Sequence, residues 1–184
     1  MQRIYINTLE PQGQEFVIDD PAIWADPIAE FGMDCRVLQP ITAKVLVLPT
    51  EKGCLVRGTL TGEVALPCNR CTEEARTVLN SSFETFEFLP GYEPEEDEGD
   101  EAIINEAPLE DSHIVLEDSI PVLDMAALCW EEFSLALPIK PLCKAGCKGL
   151  CPNCGINLNT GTCACTQEEG DPRLSILRSL TIKK

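Results

Sequence analysis

Basic residues are missing from the middle of the chain. Between Arg76 and Lys140 there is neither Lys nor Arg, while seventeen Asp and Glu fall in the same interval. The formal net charge of −17 is therefore a local property, because outside that interval fourteen basic residues stand against fourteen acidic ones. A broad basic surface, which supplies most of the affinity in sequence-independent nucleic-acid binding, is excluded over that stretch. Histidine is almost absent: His113 is the only one, so no catalytic or metal site can be assembled from several imidazoles. Apolar runs are short as well, none approaching the ~20 residues that a membrane span requires. The opening MQRIYINTLEPQGQEF lacks the charged-then-apolar pattern of an export signal. A cytoplasmic protein that is neither exported nor membrane-bound is expected. G-x-S-x-G, Walker, dinucleotide-fingerprint and H-E-x-x-H motifs do not occur, and enzymes become the weaker class.

Cysteine is abundant instead, at eleven in 184 residues. In a reducing compartment these do not read as disulfides, and metal binding is the leading account. The total is odd, so at least one thiol must stand apart. CKAGCKGLCPNCGINLNTGTCAC, residues 143–165, holds six of them, too many for one tetrahedral ion. Cys151 and Cys154 form a C-x₂-C with Gly155 after it, and Cys163 with Cys165 follows an NTG turn; these four can close a local site. Cys143 and Cys147 then lack partners, and the only other close pair is Cys68 with Cys71 in PCNRCTE. Two four-cysteine zinc sites are expected, Cys68, Cys71, Cys143 and Cys147 across a long separation and Cys151, Cys154, Cys163 and Cys165 locally, holding one or two ions. Four-sulfur sites are closed, without the open position that catalytic zinc keeps. Cys35, Cys54 and Cys129 fall in apolar settings and read as small buried side chains. His113 reads as a surface or packed residue.

Periodicity gives the frame. RIYIN (3–7) reads as a strand; ITAKVLVL alternates, with Ile41, Ala43, Val45 and Val47 on one side. A turn at Glu51–Gly53 returns the chain through CLVRGTLTGEVALP, a hairpin, and TEEARTVLNSSFETFEFLP reads as a third strand. SHIVL (112–116) is a further strand. DSIPVLDMAALCWEEFSLALP places Leu123, Ala127, Leu128, Glu131 and Leu135 at helical intervals and ends at Pro138. DPRLSILRSLTIKK, with Leu174, Leu177 and Leu180, reads as a short terminal helix. The expected class is α+β: an antiparallel sheet, a covering helix and a cysteine-rich, metal-organised C-terminal segment. Its division is residues 1–142, with an acidic loop at 90–112, and residues 143–184 with the zinc segment and terminal helix. The last 45 residues carry net +4. Lys140, Lys144, Lys148, Arg173 and Arg178 are candidate RNA contacts there, and the acidic loop a candidate dock for a basic ribosomal protein. A thiol oxidoreductase is the enzymatic alternative, although CNRC lies among strands rather than opening a helix.

LPCNRCTE (66–73), LALPIKPLCKAGCKGLCPNCGINLN (135–159) and DPRLSILRSL near the end resemble the YceD family, described as large ribosomal RNA accumulation proteins. The resemblance runs from about Leu46 onward. It implies a bacterial cytoplasmic protein, without catalysis, needed for accumulation of the large-subunit (23S) ribosomal RNA and so for ribosome biogenesis. It also implies that the long-range site is the shared one and the local quartet an accessory. The acidic loop is outside what the family implies.

Overall fold

The structure is a computed structural model, and it describes residues 3–92 and 112–165. The elements run β1 (Arg3–Tyr5), a 3-10 turn (Ile6–Thr8), β2 (Gln14–Ile18), α1 (Ala22–Glu30), β3 (Arg36–Thr50), β4 (Gly53–Pro67), β5 (Glu74–Phe88), β6 (Ile114–Glu117), β7 (Ile120–Asp124) and α2 (Met125–Ala136). They build two antiparallel sheets, one in the order β2-β3-β4-β5 and the other β1-β7-β6. The fold is thus α+β, in keeping with strand runs followed by a helix.

Alternation decides the larger sheet. Ile41, Ala43, Val45 and Val47 of β3 are buried, and so are Cys54, Val56, Leu60 and Val64 of β4. The register sets Val47 against Val56 and Ala43 against Leu60, so one face of the hairpin is continuous hydrocarbon. At Gly58 the opposing Phe83 ring lies over the backbone; a Cβ there would stand 2.2 Å from it, so any larger residue would require the ring to move. Pro40 sits where the β3–β4 register shifts, between Gln39 and Thr42, a bulge that needs no ladder donor.

The two helices close the core against the buried sheet face. Trp24 of α1 and Phe133 of α2, 2% and 0% exposed, meet with ring centroids 5.7 Å apart. Asp124 caps α2 by accepting the N–H of Ala127, and Asp20, just before α1, accepts the N–H of Ala22.

The second half departs from the sequence reading in one place. Spacing puts Leu123 in the helix, but the helix starts at Met125. Asp118 and Ser119 both have positive φ, 50° and 68°, and turn β6 into β7 as a tight hairpin. Pro121 lies in β7 before Val122, the residue at which pairing with β1 ends, so its missing N–H is tolerated. The buried helix face is Met125, Leu128, Cys129 and Phe133, whereas Leu135 is 70% exposed. β2, α1 and the 3-10 turn have no counterpart in the sequence reading. The expected terminal helix, with Leu174, Leu177 and Leu180, lies outside the described residues, and so does the acidic stretch 93–111.

Candidate metal centre

The β4–β5 connection is the first knuckle. Pro67 ends β4, and Cys68 to Glu73 form a tight turn in which the Cys68 and Glu73 backbones are joined by a 2.8 Å hydrogen bond and Thr72 N–H donates to the Cys68 carbonyl at 2.9 Å. Thr72 has φ 62°, the left-handed geometry that lets both cysteines point the same way. The segment after α2 folds back onto this turn: Asn69 N–H donates to the Pro141 carbonyl at 2.8 Å, and Leu150 N–H to the Arg70 carbonyl at 3.0 Å. Gly149, φ +77°, passes so close that a Cβ would stand 3.0 Å from the Arg70 carbonyl oxygen. Arg70 completes the clamp by donating from Nη1 to the Cys147 carbonyl at 2.8 Å.

These contacts bring four sulfurs together. Cys68 and Cys147 Sγ lie 3.8 Å apart, Cys71 and Cys143 Sγ 3.5 Å apart, and all four fall within 4.8 Å of one another. A tetrahedron with metal–sulfur bonds of ~2.3 Å has edges of about 3.8 Å, so the inner tetrad is dimensioned for one ion. Disulfide bonds, at ~2.05 Å, do not join them, and all eleven cysteines are free. Cys68, Cys71 and Cys147 are buried, and with Ala75 they form a small core of their own.

The outer tetrad is built within the last described segment. Cys151 N–H donates to the Ile156 carbonyl at 2.8 Å, Gly155 N–H returns to the Cys151 carbonyl at 2.9 Å, and Leu150 bridges Asn157. Gly155 takes φ 72° at that turn. Cys151, Cys154, Cys163 and Cys165 again lie within 4.8 Å of one another, but here Cys154 and Cys165 are exposed.

Electrostatics within each tetrad argue for a cation. Burial opposes ionisation of Cys68, yet the N–H groups of Cys143, Arg70 and Cys71 pull its thiol down to about 6. In the outer tetrad the N–H groups of Cys154 and Asn153 bring Cys151 down to about 6 as well. Their neighbours move the other way: burial and the adjacent sulfurs push Cys71 up to about 12, and the Cys154 sulfur pushes Cys165 up to about 12. Four thiolates this close cannot all carry charge unless a positive ion sits among them. Both tetrads can hold a metal ion.

The remaining cysteines differ. Burial pushes Cys54 and Cys129 up to about 12, in keeping with inert core side chains, whereas Cys35, expected to be buried, is only half-buried and is raised by burial and by Asp34. His113 is engaged away from the sulfurs: its Nδ1 lies 3.2 Å from buried Glu87 and its Nε2 3.0 Å from Glu131. Around the inner tetrad Lys140, Lys144 and Lys148 are exposed, together with Arg70; Arg173 and Arg178 lie outside the described residues. Arg70, Asn157 and Asn159 carry no signal in the sequence. Their role is side-chain hydrogen bonding to carbonyls, carboxylates and sulfur, which no spacing rule announces.

A family model described as "Large ribosomal RNA subunit accumulation protein YceD" matches residues 56–181, a span that holds all eight tetrad cysteines. Among curated proteins, one from Arabidopsis thaliana named "Large ribosomal RNA subunit accumulation protein YCED homolog 1, chloroplastic" is 29% identical over 153 residues, covering 72% of this chain and 46% of that protein. Uncharacterized proteins of Mycobacterium tuberculosis and Mycobacterium bovis are 31% identical over 109 residues, 59% of this chain and 46% of theirs. The chain thus spans about half the length of the curated relatives it matches. No solved structure matches it significantly.

Proposed function

The chain belongs to the YceD family, and we propose that it acts as a non-enzymatic, zinc-stabilised binding protein in accumulation of the large-subunit (23S) ribosomal RNA and in ribosome biogenesis. The observation that carries this reading is the family match, whose description names that RNA and whose span takes in both tetrads. Zinc is the ion that four thiolates in a tetrahedron favour, and bound there it would supply structural cross-linking rather than chemistry. Inside the inner tetrad, Cys68 and Cys71 hold the hairpin end and Cys143 and Cys147 hold the segment after α2.

The contact with ribosomal RNA or its precursor falls to the basic groups around that clasp. Lys140, Lys144 and Lys148 stand exposed on the described part of the segment. Phosphate contacts through such residues give salt-dependent affinity. Binding of a large-subunit RNA fragment should weaken as salt rises and weaken again when the three lysines are reversed to Glu. No binding at low salt would remove this mode of action. Depletion of the protein in its host should lower large-subunit relative to small-subunit ribosomal RNA.

A second reading has its own observation. Seventeen acidic residues without a basic one between Arg76 and Lys140 suit an adaptor or chaperone that holds a basic ribosomal protein. Deletion of residues 93–111 would then abolish capture of such a protein and leave RNA binding intact. The reading as a thiol oxidoreductase is less favoured, because CNRC turns between β4 and β5 rather than opening a helix, and both of its sulfurs are gathered with Cys143 and Cys147 in a metal-sized tetrad. The cytoplasm is the compartment proposed, in keeping with reduced thiols; among the described residues no helix is long and apolar enough to cross a membrane.

A further inference from the structure

The segment between Cys154 and Cys163 belongs by sequence to the outer tetrad, yet one of its side chains faces the inner one. Asn159 Nδ2 donates to Cys147 Sγ at 3.3 Å and to Asn157 Oδ1 at 2.8 Å. Its Oδ1 accepts the Lys148 N–H at 2.9 Å, and its own backbone N–H donates to Asn157 Oδ1 at 2.9 Å. Asn157 Nδ2 in turn reaches Glu73 Oε1, 3.4 Å away, beside the Cys68–Cys71 knuckle. The site therefore demands a carboxamide. Asp would lose the donor to sulfur, and Ser would be too short to serve both neighbours.

We propose that Asn159 couples the two tetrads, so that an ion in either one raises the affinity of the other. The proposal rests on the reading of both tetrads as metal centres. A sulfur that gives up its proton to a metal is a stronger acceptor than a thiol, so filling the inner tetrad tightens the bond from Asn159 and orders the loop that carries it. Filling the outer tetrad pins that loop at both ends, at Cys154 and at Cys163, and holds the Asn159 donor where Cys147 needs it. Each event lowers the ordering cost of the other, and the coupling is reciprocal. Exposure gives it direction in practice. Cys154 and Cys165 are exposed, whereas Cys68, Cys71 and Cys147 are 1%, 1% and 3% exposed, so exchange with solution starts at the outer tetrad and is felt at the buried clasp. Leu158 N–H donating to the Gly149 carbonyl at 2.9 Å is a second tie between the loop and the inner segment, and it does not involve sulfur. Loss of the Asn159 side chain therefore removes the signal to Cys147 without cutting the loop free.

The test loads the reduced full chain with cobalt(II), reads thiolate-to-cobalt charge-transfer absorption, and withdraws the ion with a competing chelator. Disabling the outer tetrad with Cys154→Ser and Cys165→Ser should weaken the inner ion roughly ten-fold, a typical size for a coupling carried by one charge-assisted bond. In an Asn159→Ala or Asn159→Asp background the same two serines should cost nothing further. Asn159→Asp keeps the acceptor for Lys148, so it separates loss of the sulfur bond from loss of loop structure, and both variants should shift the inner charge-transfer band because that band reports hydrogen bonding to sulfur. An inner ion equally tight with and without the outer tetrad, or a ten-fold loss that persists without Asn159, overturns the coupling while two metal centres stand. A chain that takes up no cobalt at all overturns the metal centres themselves, and the coupling with them.

Discussion

Cys68 and Cys147 are 79 residues apart in sequence, and their sulfurs lie 3.8 Å apart. The pair ties the far end of the β4–β5 hairpin to the segment beyond α2, and it does so without a disulfide. An unbridged meeting of sulfurs at that spacing is held by the surrounding backbone, chiefly the bonds of Asn69 to Pro141 and Leu150 to Arg70. The free energy of an ion bound there would become folding free energy.

Native mass spectrometry of the reduced chain should therefore count two ions, and Cys68→Ser should leave one. The same substitution should lower the melting temperature by roughly 10 °C or more, given that structural zinc is worth as much as a domain's whole stability in small peptides. A folded, metal-free wild type with an unchanged melting point would contradict this.

The core makes a prediction independent of metal. Phe133 is fully buried and packs against both Trp24 and Trp130, at 5.7 and 5.4 Å between centroids. Phe133→Ala should cost about 3–5 kcal/mol in urea denaturation. Leu135→Ala, close by on α2 but exposed, should cost little; equal losses would show that the helix face is assigned wrongly.

Stability should depend on pH through the pair Glu87 and His113. Glu87 is buried, which alone would raise it, but its bonds from the His113 ring and N–H bring it below its ordinary 4.5. The stability it lends is present above about that pH and is lost as pH falls through the lower folded value. Hydrogen bonding to Glu87 raises His113 above its ordinary 6.5. Its contribution is complete below 6.5 and is lost as pH rises through the higher folded value. The pair is therefore most stabilising between about 4.5 and 6.5 and weakens on both sides. His113→Gln should remove the fall in denaturation midpoint on both sides of that range, and a parallel shift at every pH would point to packing alone.

Thiol reactivity should split the cysteines. In metal-free protein, Cys54 and Cys129 should resist iodoacetamide at pH 8, since both are buried and burial pushes both up to about 12, while exposed Cys154 reacts. Peptide mass spectrometry reads the order directly, and early labelling of Cys129 would mean that α2 opens.

For RNA, reversal of Lys140, Lys144 and Lys148 to Glu should reduce the slope of log affinity against log salt by roughly 2 to 3, one unit or slightly less for each phosphate that a lysine no longer neutralises. An unchanged slope would place the RNA-binding face elsewhere.

Strong local patterns were readable in the sequence. The alternation of Ile41 to Val47, the Glu51–Gly53 turn and the four close cysteine pairs each follow from a period or a spacing, and the structure brings those cysteines into the two groups that elimination suggested. Weak local patterns were not. β2 is five residues long, α1 carries Pro27 inside it, and α2 starts only where β7 ends, at the Asp124 cap, rather than where a helical period begins. A helical reading of the whole stretch from Asp118 to Pro138 absorbs β7, because Leu123 satisfies both a strand and a helix when only spacing is considered. Pairings such as Glu87 with His113, or Asn159 with Cys147, depend on how distant segments are laid side by side, and no one-dimensional rule reaches them.

A turn that offers only half of its ligands imposes an order on biosynthesis. The ribosome makes Cys68 and Cys71 first, and their opposite numbers, beginning with Cys143 seventy-two residues after Cys71, are made only after α2 has left the peptidyl-transferase centre. Until then the nascent hairpin shows two unpaired thiols to its surroundings. Closure of the clasp is a late step, timed by elongation, and a chain that stalls within α2 would leave that hairpin permanently unfastened.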